Sequence, residues 1–447
     1  MTNRRKTVSH FNLTGAILLV LGTTLCCAAA GAEDSGFDDM FQFRAFGTLG
    51  LTHSDLRSAD YVANNLSQPQ GAGYSKDWSP DVDSKLAAQL DAKLTSRLSA
   101  VIQLISGSNY NSSWSGSANP RYRPSLEWAN LKFQVTNEMS VRGGRLVLPM
   151  LLMSEYRKVG YAYHFVRPPI ETYSETAVTN FDGGDLTFSR DFNGTINTFS
   201  AFDGGTAVRA AVRGTEGHLF GFCDTLETGP LTLHASYTNI EIHSADALFP
   251  PGFFTNFEEA AAGLPSAVGT DAAGEAQFLS DRYDLTAHWL RFHNYELGAI
   301  YDPGAWFAMA EVFAHRNDGL LGNLMSGWAS GGYRYQKITP YATYARVRKV
   351  GASDAISLAG LPQALAGYAA SINDFVGGIN SGNTNSSQQS FSLGERWDVM
   401  KHLAVKGQYD RVDLDGGSHG LLVNIQPGFR PGANANVFSA TLDFVFQ

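Results

Sequence analysis

The sequence is poor in cysteine, in charged residues and in long apolar runs, and each shortage excludes a class of protein. Three cysteines in 447 residues cannot build a disulfide scaffold. Charged residues make up 17% of the chain, against roughly 25% in an average globular protein. The net charge of -9 argues against nucleic acid as a partner. Helical membrane proteins need repeated apolar runs of about 20 residues, and one such run occurs, near the start.

That single run belongs to a segment with the pattern of a secretory signal peptide. The basic residues from Arg4 to Lys6 precede the apolar stretch, and a small-residue cleavage pattern ends at Ala32. We therefore predict a signal peptide over residues 1–32 and a single mature domain over residues 33–447. The alternative for the first segment is a membrane anchor.

Removal of this segment changes both the charge and the cysteine content. The segment carries three basic residues and no acidic ones, so the mature chain has a net charge of -12. Cys26 and Cys27 leave with it, and Cys223 remains alone. No intramolecular disulfide can then form, and we predict that Cys223 faces lipid or packs at an interface.

The mature chain is dominated by alternation of apolar and polar residues, which is the pattern of β-strands with one apolar face. Between Ser84 and Leu94 the apolar face holds Leu86, Ala88, Leu90, Ala92 and Leu94, and the polar face holds Lys85, Gln89, Asp91 and Lys93. Similar alternation occurs over residues 231–237, 325–336 and 391–399. The segments are about ten residues long, the length of a tilted membrane strand.

The connections between segments set the number of strands. A first pass finds 17 candidate segments, whereas bacterial barrels alternate short periplasmic turns with long outer loops and have an even number of strands. The alternation holds throughout if residues 281–301 form one long strand. We therefore predict an all-β fold, a 16-stranded antiparallel transmembrane β-barrel. Eighteen strands would require an extra hairpin hidden in a long loop.

Two further patterns concern the chain end and the long loops. The final strand is expected to alternate apolar Phe438, Ala440, Leu442, Phe444 and Phe446 with mostly polar neighbours. Helix-spaced apolar residues occur within two long loops, at Phe254, Phe257, Ala261 and Leu264 and at Leu361, Leu365, Tyr368, Ile372 and Phe375. These helices would either form a lid over a pore mouth or keep the loops compact, and we favour the second interpretation.

Together these features resemble a Gram-negative outer-membrane porin of the general type. Residues 41–51 resemble the opening strand of such porins, and residues 141–149 resemble the strand that leads into their third loop. Residues 301–311 resemble a later hairpin. The resemblance implies a homotrimer in the bacterial outer membrane, surrounded by lipid. It also implies passive diffusion of small hydrophilic solutes or ions and a third loop, within residues 147–183, that folds inward.

A barrel of 16 strands encloses an aqueous channel, so we expect charged residues on its inner face. The wall candidates are basic Arg44, Lys85, Lys93, Lys132, Arg142, Arg334, Arg396 and Lys406 and acidic Asp91, Asp185, Asp398 and Asp410. This excess of bases motivates the hypothesis of a weak anion preference, with the surplus acids on the outer loops. The candidate pore constriction consists of Arg44, Lys85, Lys132, Arg142, Arg145, Glu155, Arg157, Arg167, Glu171 and Glu175.

Two points about this constriction stay open at the level of sequence. Arg142 and Arg145 fall on opposite faces of a regular strand, and a bulge at Gly143-Gly144 would turn both inward. The loop charges would either face the wall across a water-filled gap and set ion preference or hold the loop in place by ion pairs.

Other functions have weaker support in the sequence. No G-x-S-x-G elbow occurs, the histidines are scattered singly, and the Asp-rich turn at Asp413 lacks the later Glu of a calcium loop. We therefore predict no catalytic residue, no cofactor and no metal site. The alternatives are a substrate-specific channel for a sugar, an organic acid or phosphate, and a non-conducting barrel that acts as a rim enzyme or as a receptor.

Overall fold

A computed structural model describes residues 40–108, 122–176, 178–207, 215–244, 252–264, 267–283, 289–317, 322–350, 355–384 and 386–446. The predicted signal peptide, with Cys26 and Cys27, lies outside these residues. Contacts divide the chain into Met1–Gln42 and Phe43–Gln447. Of the first unit the structure describes residues 40–42, as a turn and two extended residues.

Sixteen long strands in the described residues form one antiparallel sheet, in which each strand pairs with its neighbours in the chain. They are β1 (Phe41–Ser54), β2 (Lys85–Lys93), β3 (Leu98–Gly107), β4 (Ser125–Gln134), β5 (Met139–Val147), β6 (Asn180–Phe192), β7 (Thr195–Ala207), β8 (Thr215–Thr228), β9 (Leu231–Ser244), β10 (Leu290–Tyr301), β11 (Trp306–Asn317), β12 (Asn323–Tyr333), β13 (Ile338–Val350), β14 (Gln388–Met400), β15 (Leu403–Leu414) and β16 (Asn434–Phe446). Strand β1 also pairs with β16, from Ala45 opposite Phe446 to Ser54 opposite Val437. The sheet is therefore a closed barrel of 16 strands, as predicted.

The alternation of the sequence becomes the two faces of this wall. Leu49 on β1 and its cross-strand partner Leu442 on β16 point outward, and Leu49 is 61% exposed. Their neighbours Thr48 and Asp443 point inward and are buried. The predicted faces of residues 84–94, 231–237 and the final strand are confirmed in the same way. An outward belt of exposed apolar side chains is the surface that a barrel presents to lipid.

Aromatic side chains gather on the outside of the barrel at the end that carries the short turns. Trp306, Tyr333, Tyr335, Trp397 and Phe446 are each exposed by 44% or more. Aromatic girdles of this kind mark the interface between lipid tails and headgroups.

The sequence of the turn between β6 and β7 explains why this turn is tight. The connection from β6 to β7 consists of Asn193 and Gly194, both with positive φ, at 56° and 89°. A two-residue hairpin turn of this type matches the twist of its flanking strands, and Asn-Gly is its preferred sequence. The amide of Gly194 also donates to the Asp191 carboxylate at 2.7 Å.

The prediction of one long strand over residues 281–301 was wrong in its extent. Strand β10 begins at Leu290, and a helix ends at Tyr283. Ala272, Ala276 and Leu279 recur every three or four residues and are almost fully buried. The helix therefore extends past residue 281, where the strand was predicted to begin, and the number of strands is unaffected.

In the described parts of the long outer loops, three helices pack on one another. They are α1 (Thr255–Ala262), α2 (Ala267–Tyr283) and α3 (Gln363–Thr384), and a one-turn helix, Ile170–Tyr173, lies in the third loop. Phe257, Ala276 and Ile372 belong to one buried apolar cluster built from both outer loops. In the described residues no helix is both long enough and apolar enough to cross a membrane. The helix-spaced residues therefore hold two loops together, as the favoured interpretation predicted.

Replacement of Leu49 by arginine is expected to lower the free energy of unfolding in lipid vesicles by about 2–4 kcal/mol, because the new charge faces the middle of the bilayer. The matched variant Leu94→Arg changes an exposed residue beside a short turn and is expected to cost about 0–1 kcal/mol. Urea unfolding of both variants measures the difference. Equal losses would contradict the assignment of the lipid-facing surface.

Candidate channel lumen

The third loop, residues 148–179 and here called the inner loop, folds into the barrel as predicted. Ser236 on β9 donates to the carbonyl of Met150 at 2.8 Å, and Val159 packs against Phe46, Ala87 and Ile105 on the opposite side of the wall. The inner loop thus contacts strands on both sides of the lumen, and it lies across the path of any solute.

Much of the space around the inner loop is apolar, contrary to the expectation of a polar inner wall. Inner-loop residues Met153 and Phe165 belong to a buried cluster with inward residues of the wall. The wall residues of this cluster include Phe181, Phe202, Leu219, Ile240, Phe292, Phe313, Trp328, Val347, Val412 and Val437, which lie mostly in the outer halves of their strands. Because the inner loop brings apolar side chains into the lumen, the wall that covers them must also be apolar.

Arg167 anchors the inner loop. Its guanidinium donates to both Asp83 carboxylate oxygens at 2.7 and 2.8 Å, and one nitrogen lies 3.2 Å from Asp410. Arg167 is 5% exposed, and its guanidinium lies over the Tyr61 ring at 5.3 Å. Burial alone would raise the pKa of Asp83, but the adjacent guanidinium lowers it below its usual value. The sequence placed Arg167 in the constriction, and the structure places it between loop and wall.

Glu171 and Glu175 also hold the inner loop to the wall. Gln388 donates to Glu171 at 2.7 Å, and burial raises the pKa of this carboxyl above its usual value. Lys349 lies 2.7 Å from Glu175. Glu171 is 1% exposed, and the side chain of Glu175 is 5% exposed. Both carboxylates therefore face protein and not open water.

A residue outside the predicted constriction, Glu311 on β11, joins two distant points of the inner loop. One carboxylate oxygen accepts the amide of Leu152 at 2.9 Å. The other accepts the Tyr173 hydroxyl at 2.7 Å and the Trp328 indole at 2.8 Å. Its signal in the sequence is an acidic residue at an inward position between apolar Met309 and Phe313.

The charged residues that keep contact with water lie on another part of the inner wall, which we call the polar sector. It consists of Arg44, Asp91, Lys93, Lys132, Arg142, Glu155 and Lys158. Arg44 and Asp91 are 3.6 Å apart, with side chains 40% and 30% exposed. Lys93, Lys132 and Glu155 are exposed.

Two ion pairs organise the polar sector. Arg142 on β5 donates to Asp185 on β6 through two nitrogens, at 2.8 and 2.5 Å, and Glu155 lies within electrostatic range of the same guanidinium. Lys158 on the inner loop lies 2.5 Å from Glu127 on β4. The inner loop and the wall therefore present opposite charges to each other at this level.

Lys85 and Arg157 lie beside the polar sector. Lys85 points inward, within electrostatic range of Asp83 and Asp443. Arg157 is half-buried and donates to the Thr176 hydroxyl within the inner loop at 3.0 Å.

Arg145 lies on the outer face of the barrel, which corrects the expectation that a bulge would turn it inward. The pairing of β5 with both neighbours is regular from Arg142 to Arg145. Gly144 has a φ of 127° but causes no register shift. Arg145 instead pairs with Asp182 at 2.5 Å, where the two side chains are 31% and 59% exposed.

Other predicted wall residues are also reassigned by their contacts. Cys223 is buried and points into the barrel, beside Ser200 and Ser236, so the prediction that it faces lipid was wrong. Arg334 binds Asp302 at a short turn. Arg396, Lys406 and Asp410 are at most 8% exposed, so these charges lie under the inner loop.

Histidine and acidic side chains meet at two places in the described residues. His218 lies 3.1 Å from Asp203 on the outer face, and His234 lies 2.6 Å from buried Glu296 on the inner face. Within the same described residues, no three His, Cys, Asp or Glu side chains form a group that could hold a metal ion.

Comparison with known proteins identifies the fold. No protein-family model and no curated protein matches the sequence. The outer membrane channel DcaP of Acinetobacter baumannii has a similar structure, with a TM-score of 0.50, 10% identity, and coverage of 93% of this chain and 100% of that one. The outer-membrane expressed OmpT of Vibrio cholerae matches with a TM-score of 0.49 and 11% identity over 92% of this chain and 99% of that one.

The likeness to DcaP shows that the two chains share a barrel fold. The lipid-facing apolar belt and the closed even-numbered barrel are features of transmembrane β-barrels.

Replacement of Arg167 by methionine is expected to lower the free energy of unfolding by about 3–5 kcal/mol, because Asp83 and Asp410 would be left buried without a counter-charge. Arg145→Met removes an exposed Arg-Asp pair and is expected to cost under about 1 kcal/mol. Urea unfolding of the two variants provides the comparison. A small loss for the Arg167 variant would show that this residue is not an anchor.

Proposed function

We propose that the protein is an outer-membrane channel for passive diffusion of small hydrophilic solutes and ions, and that it has no enzymatic activity. The observation that carries this proposal is the polar sector. Charged side chains such as Lys132 and Glu155 stay exposed although they lie inside a closed wall. Exposure inside a closed wall means that water reaches these side chains, which supports a water-filled route beside the inner loop.

The water-filled route is expected to be narrow. The apolar cluster around Phe165 and Trp328 fills much of the lumen with packed side chains, and water is excluded from such packing. Solutes would therefore pass along the polar sector, between the wall at Arg142 and the inner loop at Glu155. A route of this shape admits ions and small polar molecules and excludes bulky ones.

Rival functions have less support from the contacts. A rim enzyme would need a reactive dyad in a cleft. The His218-Asp203 pair lies on the outward face beside Phe220, and the His234-Glu296 pair is buried inside the barrel, with side chains 9% and 0% exposed. A substrate-specific channel shares the same barrel and differs in how the route binds its solute. We further propose a homotrimer, as the resemblance to general porins implies.

The first test is the conductance of refolded mature protein in a planar bilayer. We expect ohmic openings that are smaller than those of an unobstructed 16-stranded barrel, with steps grouped in threes if the trimer forms. A folded barrel that carries no current, with candidate solutes present or absent, would overturn the proposal. A lipid-hydrolysis assay on the same sample would then test the enzyme alternative.

Reversal potentials in a salt gradient test the polar sector. Its exposed bases outnumber its acids, so we expect a weak anion preference in the unmodified protein. Glu155→Gln is expected to raise this preference, and Arg142→Gln is expected to move it toward cations. One unit charge about 6 Å away in water changes the permeability of each ion roughly threefold, in opposite directions for anions and cations. Each variant is therefore expected to change the permeability ratio roughly tenfold.

Arg145→Gln provides the matched control for these measurements, because it removes the same charge from the outer face of the same strand. It is expected to leave the reversal potential unchanged. Cation preference in the unmodified protein would refute the anion hypothesis. A shift in Arg145→Gln as large as in Arg142→Gln, or no shift in either polar-sector variant, would refute the assignment of the route to the polar sector.

A further inference from the structure

One lysine inside the barrel has no contact with solvent and is surrounded by the inner loop. Lys406 lies at an inward position of β15, and its side chain is 0% exposed. Its ammonium donates to the carbonyls of Gly160 at 2.6 Å and Phe165 at 2.9 Å. It also lies 3.0 Å from the Asp443 carboxylate. A Lys at such a position is seldom fully buried unless its charge is paired.

These groups form a complete cage for a small cation. The Tyr163 ring lies 4.6 Å from the ammonium nitrogen, so one side of the cage is an aromatic face, which attracts cations. The three oxygens account for the three N–H donors of the ammonium group. The Asp443 carboxylate is itself held by the hydroxyl of Thr48 at 2.5 Å, which fixes its position on β16.

The inner loop approaches the wall closely at this cage. A Cβ added at Gly160 would overlap the Asp443 carboxylate and the Thr48 hydroxyl, so the loop can reach the lysine only with glycine at this position. A second wall cation acts beside it. Arg396 on β14 donates to the carbonyls of Tyr161 at 2.7 Å and Tyr163 at 2.9 Å.

The two cations therefore bind four carbonyls within residues 160–165. Residues Gly160–Ala162 form one turn of 3-10 helix, and the amide of Tyr163 donates to the Gly160 carbonyl at 3.5 Å. The other hydrogen bonds that these buried carbonyls need come from donors outside the segment. Charges on the wall therefore help to set the positions of these six residues.

We propose that Lys406 is a positioning residue, whose ammonium occupies a cation site that the inner loop and the wall form together. If the side chain were removed, this cage would bind a free primary alkylammonium ion. Lys406 would affect the channel because the loop residue that it binds, Gly160, is close in sequence to a residue of the polar sector. Gly160 lies two residues after Lys158 of the polar sector, which contacts Glu127 on β4. Lys406 thus sets the width of the route without touching the solute. This last step rests on the proposed channel function.

Hydrogen exchange of the amides of residues 157–166 tests the cage without any need for current. Lys406→Ala removes the ammonium and leaves a space close to propylammonium in size. Exchange in this segment is expected to become at least roughly tenfold faster, the effect of losing one hydrogen bond to a charged group. Refolding this variant with propylammonium is expected to restore slow exchange, whereas tetramethylammonium, which has no N–H donor, is expected to have no effect.

Two further variants separate the cage from ordinary packing. Lys406→Met keeps most of the side-chain volume, so it is expected to exchange fast and to remain insensitive to propylammonium. Lys406→Met also tests the role of the ammonium if the alanine variant does not fold. Lys401→Ala removes a lysine from the exposed turn between β14 and β15 and is expected to behave as the unmodified protein. Wild-type exchange in both Lys406 variants, or fast exchange that propylammonium does not slow in the alanine variant, would overturn the proposal.

Single-channel recording supplies the functional readout. Lys406→Met is expected to show larger and noisier openings than the unmodified protein, and propylammonium is expected to reverse this change in Lys406→Ala alone. If the unmodified protein carries no current, the channel proposal fails while the exchange experiment still decides the role of Lys406. If it conducts and neither Lys406 variant alters the current, Lys406 does not set the width of the route.

Discussion

Backbone polar groups that enter the barrel must find partners, and this requirement organises the lumen. The inner loop carries about thirty residues inside the wall, mostly without helix or strand. A buried amide or carbonyl without a partner costs free energy comparable to a lost hydrogen bond. The wall supplies those partners from side chains: Lys406 and Arg396 donate to loop carbonyls, and Gln408 and Glu311 accept loop amides.

The same requirement divides the inward charges into two kinds. Charges under the inner loop are paired and excluded from water. Arg167 and Asp83, for example, form an ion pair with side chains 5% and 3% exposed. Removing one partner of such a pair is costly because it strands the other. Charges in the polar sector, such as Lys132 and Glu155, keep contact with water. Only this second kind could act on a solute in the proposed route, so the count of inward charges overstates the charge that such a solute would meet.

The outer surface has a different electrostatic character from the lumen. The described parts of the two helix-bearing loops, residues 252–264, 267–283 and 355–384, contain six acidic residues and one basic residue, Arg282. Their helices are held together by an apolar cluster of their own. These loop segments therefore carry a net charge of -5 out of the -12 of the mature chain, while the polar sector has more bases than acids.

Sequence alone determined the wall of this protein, and tertiary structure decided the contents of the lumen. Alternation along a strand depends on the strand itself, so the faces of residues 84–94 could be predicted. The number of 16 strands followed from the alternation of short and long connections, which is also a local property of the sequence. What covers an inward side chain depends on residues far along the chain. That is why the sequence left open whether Arg167 faces water or holds the loop by ion pairs, and why it did not predict that Lys406 is buried. It is also why the register, and not the glycine pair, decided the face of Arg145. A two-residue period states which way a side chain points, whereas only long-range packing states whether it meets water, lipid or another part of the protein.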